Sequence, residues 1–190
     1  MSYPVEVPAQ GLYEASTTQR HALGDLGKFQ VTLGGAKYNV LAKYVANNNA
    51  ASIAQGFAVG HPFDNDAKPY AVDTAVYANV SAIRGGGAGV GIICASMEGT
   101  ATSLGGGGYA WAAFEGPVTA AALAENVAAN ALLYVSINSA ARLASIVTST
   151  ATASVALPNM VGRYGATAST ISRASTTNVA GHFVMLFGWR

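Results

Sequence analysis

Residues 105–117 of the 190-residue chain read GGGGYAWAAFEGP, and this stretch predicts the fold. Four glycines open it, an aromatic strand follows, and a Gly-Pro pair closes it. Because side chains alternate along a strand, we expect Tyr109 and Trp111 on one face and Phe114 on the other. Upstream, residues 88–97 (AGVGIICASM) form a second apolar run, which is interrupted by two glycines. The two stretches predict neighbouring core strands, and neither has a charged residue at its centre that could do chemistry.

Further strand patterns recur at spacings of about ten residues, separated by Gly, Asn and Ser turns. They lie at residues 37–44, 52–60, 69–80, 132–138, 142–147, 161–166 and 182–188. Residues 118–131 are ambiguous, because their alanines favour a helix while a lone short helix among strands needs packing to survive. Whether these residues form a helix or a strand therefore stays open. The pattern predicts an all-β fold, a small barrel or jelly-roll-like domain with at most one helix.

Residues 1–35 differ from the rest of the chain. Prolines at 4 and 8 and several glycines punctuate them, and apolar residues do not recur regularly for long. We predict an extended N-terminal arm at residues 1–35 and a single β domain at residues 36–190. Since ordering each residue costs about 1–2 kcal/mol, such an arm is ordered only against its own domain or a neighbouring chain. A disordered tail is the alternative.

The composition excludes several classes of partner. Charged residues make up 10% of the chain and hydrophobic residues 51%, so the surface is poor in charge and suits contact with other protein. The net charge is +1 without a Lys/Arg cluster, which predicts no nucleic-acid partner. The longest uncharged run, residues 143–162, is broken by polar residues and Pro158, so we predict no membrane span.

Residues capable of chemistry are scattered. Cys94 is the only cysteine, and without an electropositive neighbour in sequence it is expected to be a buried small side chain. The glycines of residues 85–91 do not form a dinucleotide or phosphate-loop motif. His61 with Asp64 and Asp66 lacks the ligand count of a calcium loop. We therefore predict no enzymatic activity, no catalytic residue, no metal ion and no cofactor.

Several short motifs resemble those of a known family. Residues 16–24 (STTQRHALG) are similar to a Thr-Gln-x-His-x-Leu-Gly start that precedes a first strand. The other motifs, in order, lie at residues 37–49, 88–94, 108–116, 132–134, 161–162 and 182–187. Together they resemble the small head-decoration, or cement, proteins of tailed bacteriophages. The chain departs from that pattern at Asp25, where Thr is commoner, and in having Tyr-Ala-Trp instead of Tyr-Gly-Trp.

The resemblance implies a virion structural protein that binds the lattice of the major capsid protein and stabilises the capsid. It implies a homotrimer on the capsid exterior, made in the host cytoplasm. The aromatic and apolar residues of the arm, of the 105–117 strand and of the chain's end are the expected protein interface. They are Tyr3, Tyr13, His21, Leu23, Tyr109, Trp111 and Trp189.

Two other functions remain open at this point. A phage adhesin or carbohydrate-binding module could stack a sugar on Tyr109 and Trp111, although paired aromatics at this spacing more often belong to a core or subunit interface. A small hydrolase would need a cluster of polar residues, and the almost neutral second half of the chain supplies few.

Overall fold

The computed structural model describes residues 10–33, 35–47, 49–62, 71–72, 87–101, 107–118, 132–136, 142–145, 160–164 and 184–187. This part of the chain is all-β and contains no helix, which confirms the predicted class. The ambiguous segment that follows Val118 lies outside the described residues, so its conformation stays a prediction.

Ten strands form the described part of the fold. They are β1 (Leu26–Leu33), β2 (Ala36–Asn47), β3 (Ala58–Pro62), β4 (Ala71–Val72), β5 (Gly87–Ile93), β6 (Tyr109–Val118), β7 (Leu132–Ser136), β8 (Arg142–Ser145), β9 (Met160–Tyr164) and β10 (Val184–Phe187). Residues 88–97 and 105–117 contain most of β5 and β6, which pair as neighbours.

The strands join in one open sheet, in the order β1-β2-β6-β10-β9-β7-β8. β5 also pairs with β6, β3 pairs with β5, and the short β4 lies parallel to the end of β2, whereas the other pairs are antiparallel. The described strands do not close into a barrel, so a barrel or jelly roll remains a prediction.

β6 is the central strand of the described core. β2 runs along one of its edges, with Tyr44 opposite Trp111, while β5 and β10 pair with successive parts of the other edge. The register with β2 shifts where Leu41 faces Glu115 and Ala42 faces Ala113. Phe114 is the extra residue of this β-bulge, a device that bends and twists a strand.

Buried side chains form one layer on each face of the sheet. The Trp111 layer contains Leu12, Val40, Ala42, Tyr44, Ala58, Ile92, Cys94, Trp111, Ala113, Val118 and Leu186. The Met97 layer contains Val45, Ile53, Val59, Val90, Ile93, Ala95, Met97, Ala110 and Ala112. Tyr109 packs against the Trp111 layer, so the alternation predicted for β6 is confirmed.

The end of the predicted arm belongs to the sheet. Residues 26–33 form β1 and pair with β2 along its whole length. Their sequence, LGKFQVTL, alternates polar and apolar residues from position 28 onward, so the expectation that residues 1–35 lack a regular apolar pattern is wrong for this segment. Phe29 and Val31 pack against the Trp111 layer. Residues 10–25, which precede β1, also lie on the sheet, and we call them the N-terminal strap.

Candidate protein interface

The N-terminal strap is fixed to the two strands at the centre of the sheet. Ser16 and Tyr109 exchange two backbone hydrogen bonds, of 2.9 and 2.7 Å, which attach the strap to β6. The N–H of Gly24 donates to the carbonyl of Tyr44 at 2.8 Å, and the N–H of Tyr44 donates to the carbonyl of Asp25 at 2.9 Å. The strap is therefore ordered against its own domain, one of the two arrangements expected for an ordered arm.

Five aromatic rings pack together where the strap meets the sheet, and we call them the aromatic cluster. Trp111 lies at its centre, with ring centroids 5.0 Å from Tyr44, 5.2 Å from Phe29 and 5.2 Å from His21. The ring of Tyr109 is nearly parallel to that of Tyr44, at 6.2 Å. Edge-on and offset ring pairs of this kind each add about 0.5–1.5 kcal/mol beyond the area they bury.

Gln10 accepts hydrogen bonds from two residues of the aromatic cluster, Trp111 and Tyr44. Its carbonyl accepts a hydrogen bond from Nε1 of Trp111 at 3.2 Å, and its Oε1 accepts one from the hydroxyl of Tyr44 at 3.1 Å. Its Nε2 donates to the carbonyl of Glu14 at 2.7 Å, and the Tyr44 hydroxyl accepts from the N–H of Arg20 at 3.2 Å. Gln10 is fully buried, so this one residue pairs the Tyr44 hydroxyl and the Trp111 indole N–H away from solvent.

Burial shifts the pKa of two groups in the Trp111 layer. It raises the pKa of the Tyr44 phenol, while the backbone hydrogen bond from Arg20 and the charge of its guanidinium oppose the shift. Burial also raises the pKa of the Cys94 thiol from 9.0 to about 12, and a hydrogen bond with the backbone of Ala113 opposes this shift. Cys94 is fully buried, which confirms the prediction that it is a small core side chain.

The arm residues expected at a protein interface occupy different positions. Tyr13 is one of the large hydrophobic side chains that the structure leaves exposed, at 41%. His21 and Leu23 are half-buried and face the sheet, His21 in the aromatic cluster and Leu23 against the Trp111 layer. Tyr3 lies outside the described residues.

The strand residues expected at the interface form part of the chain's own core. Trp111 is 1% exposed and Tyr109 is half-buried against Tyr44. Core packing, the commoner role for two aromatics at this spacing, is what Trp111 has here. Its ring offers no open face on which a sugar could stack, as the carbohydrate-binding alternative requires. Trp189 lies outside the described residues.

Sequence reasoning did not single out Gln10 or Tyr44, although they join the strap to the sheet. Tyr44 falls within a predicted strand, and its strand-like alternation with Val40 and Ala42 indicated its face. Gln10 had no such signal, because a polar residue between Pro8 and Gly11 is typical of an exposed loop.

The described residues contain no group of three or more His, Cys, Asp or Glu side chains placed to hold a metal ion. Asp64 and Asp66, considered above with His61, lie outside these residues, as does the side chain of His61. The residues that the structure describes contain no helix with the length and hydropathy of a membrane span.

Comparison of the chain with models of protein families, with curated protein sequences and with solved structures finds no match. The resemblance to phage decoration proteins therefore depends on the short motifs quoted above. We therefore infer the function of the chain from the surface that these residues form.

Proposed function

We propose that this chain is a virion structural protein that binds the major capsid protein lattice of a tailed bacteriophage and stabilises it. The observation that carries the proposal is the conformation of residues 16–24, the motif with which the resemblance begins. His21 and Leu23 point into the sheet, whereas Thr17, Thr18, Gln19 and Arg20 are exposed.

The strap presents its exposed side chains on a backbone that is already ordered. The hydroxyl of Ser16 donates to the carbonyl of Thr18 at 2.7 Å and accepts from its N–H at 3.1 Å, which closes a tight turn at the start of the motif. Nε2 of Gln19 donates to the carbonyl of His21 at 2.9 Å. We call the exposed side chains of residues 17–20 the ridge. A partner that binds the ridge does not have to order the loop, so less of the binding energy is lost to conformational entropy.

The chemistry of the ridge suits another protein. Three of its four exposed side chains are uncharged, and Tyr13 adds an exposed aromatic ring on the same strap. Tyrosine and arginine are enriched at protein interfaces, where each can supply apolar area together with hydrogen-bond donors. We place the capsid contact on this ridge.

A homotrimer on the capsid exterior is part of the proposal. Three copies held together would engage three equivalent capsid sites, and their weak contacts would add by avidity. Its first test is the native mass of the purified chain across a dilution series. A stable mass of three chains supports the trimer, and a monomer at every concentration contradicts it.

Co-sedimentation tests the capsid contact. Purified chain is added to capsids of the phage that encodes it, assembled without it, and we expect binding that saturates at a fixed ratio to the major capsid protein. The variant Thr17→Arg/Thr18→Arg alters the ridge without removing a hydrogen bond described above, and we expect it to bind at least about tenfold more weakly. Ser52→Arg/Ala54→Arg, on another exposed loop, is the matched control. Absence of saturable binding by the unaltered chain contradicts the proposed function.

A further inference from the structure

Strand β1 forms an edge of the sheet that the described residues leave uncovered. It is 8 residues long, and its ladder with β2 runs from Leu26 to Leu33 without a bulge. β1 stands at the end of the sheet order, and β2 is its one neighbour among the described strands. Natural edge strands are usually protected by a proline, a bulge, a covering segment or charged side chains. Of these devices, the described part of the chain gives β1 a single charge, that of Lys28.

The hydrogen-bond pattern shows which main-chain groups of β1 point away from β2. Immediately before β1, the N–H of Tyr44 donates to the carbonyl of Asp25 at 2.9 Å, so Asp25 faces β2. Residues of an antiparallel strand alternate between facing the neighbouring strand and facing away from it. The residues of β1 that face away, all with exposed side chains, are Leu26, Lys28, Gln30 and Thr32. Within the described part of the chain, their outward N–H and C=O groups have no partner.

The outward residues of β1 are complementary to those of a second copy. If two β1 strands run antiparallel about a two-fold axis at Phe29, every outward residue is opposite an outward residue of the second copy. Leu26 then pairs with Thr32 of the second copy, and Lys28 pairs with Gln30 of the second copy. Because each such pair exchanges two main-chain hydrogen bonds, the contact contains about eight.

The side chains favour this register over the two nearest alternatives. A shift of two residues in one direction would put Lys28 opposite Lys28 of the second copy, and like charges directly opposite each other destabilise a sheet. A shift in the other direction would leave Leu26 beyond the end of the second copy's β1. The full register forms the most hydrogen bonds and places each lysine opposite an uncharged amide.

The other face of β1 also suits pairing with itself. Phe29, Val31 and Leu33 alternate along that face and are half-buried, and Phe29 and Val31 pack against the Trp111 layer. In the full register Phe29 is opposite Phe29 of the second copy, and Val31 is opposite Gly27. Aromatic cross-strand pairs stabilise a sheet, so the contact would extend the Trp111 layer from one copy into the next.

We infer that β1 is a self-association edge, at which two copies of the chain join their sheets across a two-fold axis. The inference does not depend on the proposed function. If the chain also forms the proposed trimer, the contact at β1 joins one trimer to another, because a two-fold contact does not close a three-fold ring. A strand of the capsid protein is the other candidate for this edge, and the self-complementary register favours a second copy.

The first experiment measures native mass across a dilution series up to about 1 mM, a range that detects weak association. Gln30→Pro removes one outward N–H and places a ring at the edge without removing a hydrogen bond to β2. Gln30→Thr keeps the N–H and is the matched control. The unaltered chain and Gln30→Thr should double their mass as concentration rises, whether from one chain to two or from three to six. Gln30→Pro should need at least about tenfold higher concentration. Equal association of all three chains, or no doubling by the unaltered chain, overturns the inference.

Disulfide cross-linking tests the register with substitutions that leave every main-chain group in place. Lys28→Cys and Gln30→Cys chains are mixed and exposed to oxidised glutathione. In the full register the opposed positions 28 and 30 have Cα atoms about 5.5 Å apart, within reach of a disulfide. Identical positions of the two copies are diagonal neighbours about 7–8 Å apart, which a disulfide does not span. Covalent dimers should therefore contain one chain of each variant. No cross-link, or equal cross-linking of either variant alone, overturns the inference.

Co-sedimentation with the undecorated capsids separates the two occupants of the edge. Gln30→Pro should bind capsids while failing to double its mass. Loss of capsid binding without a change in self-association would assign the edge to a capsid strand and overturn the inference. If the unaltered chain does not bind capsids, the proposed function fails, and the mass and cross-linking results still decide whether β1 joins two copies.

Discussion

The hydroxyl of Tyr44 donates a hydrogen bond to Oε1 of Gln10 at 3.1 Å, across 34 residues of sequence and out of contact with solvent. Tyr44 lies at the centre of the sheet and Gln10 at the start of the strap, so this contact joins the two. Because the Gln10 carbonyl also accepts a hydrogen bond from Nε1 of Trp111, the polar atoms of Tyr44 and Trp111 are paired by the strap only while the strap is in place.

The substitution Gln10→Ala should lower the free energy of unfolding by about 1–3 kcal/mol, because it leaves the buried Tyr44 hydroxyl without its acceptor. Denaturant unfolding followed by circular dichroism, at one fixed protein concentration, measures the change. Gln30→Ala is the matched control, since Gln30 is an exposed glutamine on β1, and it should change the stability by less than about 0.5 kcal/mol.

A double-mutant cycle separates the Gln10–Tyr44 contact from the rest of each side chain. Tyr44→Phe removes the hydroxyl and keeps the ring. Once the hydroxyl is absent, replacement of Gln10 should be less harmful, so the two effects should not add. Strict additivity would show that the hydrogen bond does not hold the strap.

The sequence predicted the centre of this fold better than its margin. Alternation along residues 109–114 identified the two faces of β6, because burial on both faces of a strand follows period two. The sequence did not predict the strand at residues 26–33, because Gly27 and the neighbouring glycines are typical of turns and loops. In the structure a Cβ on Gly27 would lie 2.9 Å from Cζ3 of Trp111, so that glycine makes room for the tryptophan ring. Such a role depends on tertiary contacts that no local pattern contains.

Position 116 requires glycine for two reasons, its backbone conformation and its surroundings. Its φ of +94° lies in the left-handed region, and a Cβ would collide with the carbonyl oxygen of Asn39. Gly35 has a similar φ of +82° but open space around it. Gly35→Ala should therefore cost about 1–2 kcal/mol from backbone strain alone, and Gly116→Ala distinctly more.

Equilibrium unfolding gives the free energy of unfolding of each glycine variant. The difference between the two values is the cost of the collision between the added Cβ and the Asn39 carbonyl. If Gly116→Ala and Gly35→Ala destabilised the protein equally, the close approach of β6 and β2 at Asn39 would be contradicted. The comparison is matched because each variant adds the same methyl group at a positive φ.

Cys94 should make the stability fall in alkaline solution. Its pKa is 9.0 ordinarily and about 12 in the folded protein, so between these values the unfolded chain releases a proton that the folded chain keeps. The thiol's contribution to stability is therefore complete below pH 9 and is lost as the pH rises toward 12. Unfolding measured at pH 8 and pH 10.5 should show a steeper decline for the unaltered chain than for Cys94→Ala. Parallel declines would contradict a buried, protonated thiol.

We expect His21 to stabilise the fold through the packing of its ring and not through hydrogen bonds of its imidazole nitrogens. Its Nε2 is buried without a hydrogen-bond partner in the described part of the chain, while the ring packs edge-on against Tyr44 at 5.1 Å. His21→Phe keeps the ring and removes the unpaired polar atom, so stability should be unchanged or rise by up to about 1 kcal/mol, whereas His21→Ala should lower it by about 1–2 kcal/mol. Denaturant unfolding of both variants decides the matter. If phenylalanine were as harmful as alanine, Nε2 would have a partner that stabilises the strap, and the packing argument for His21 would fail.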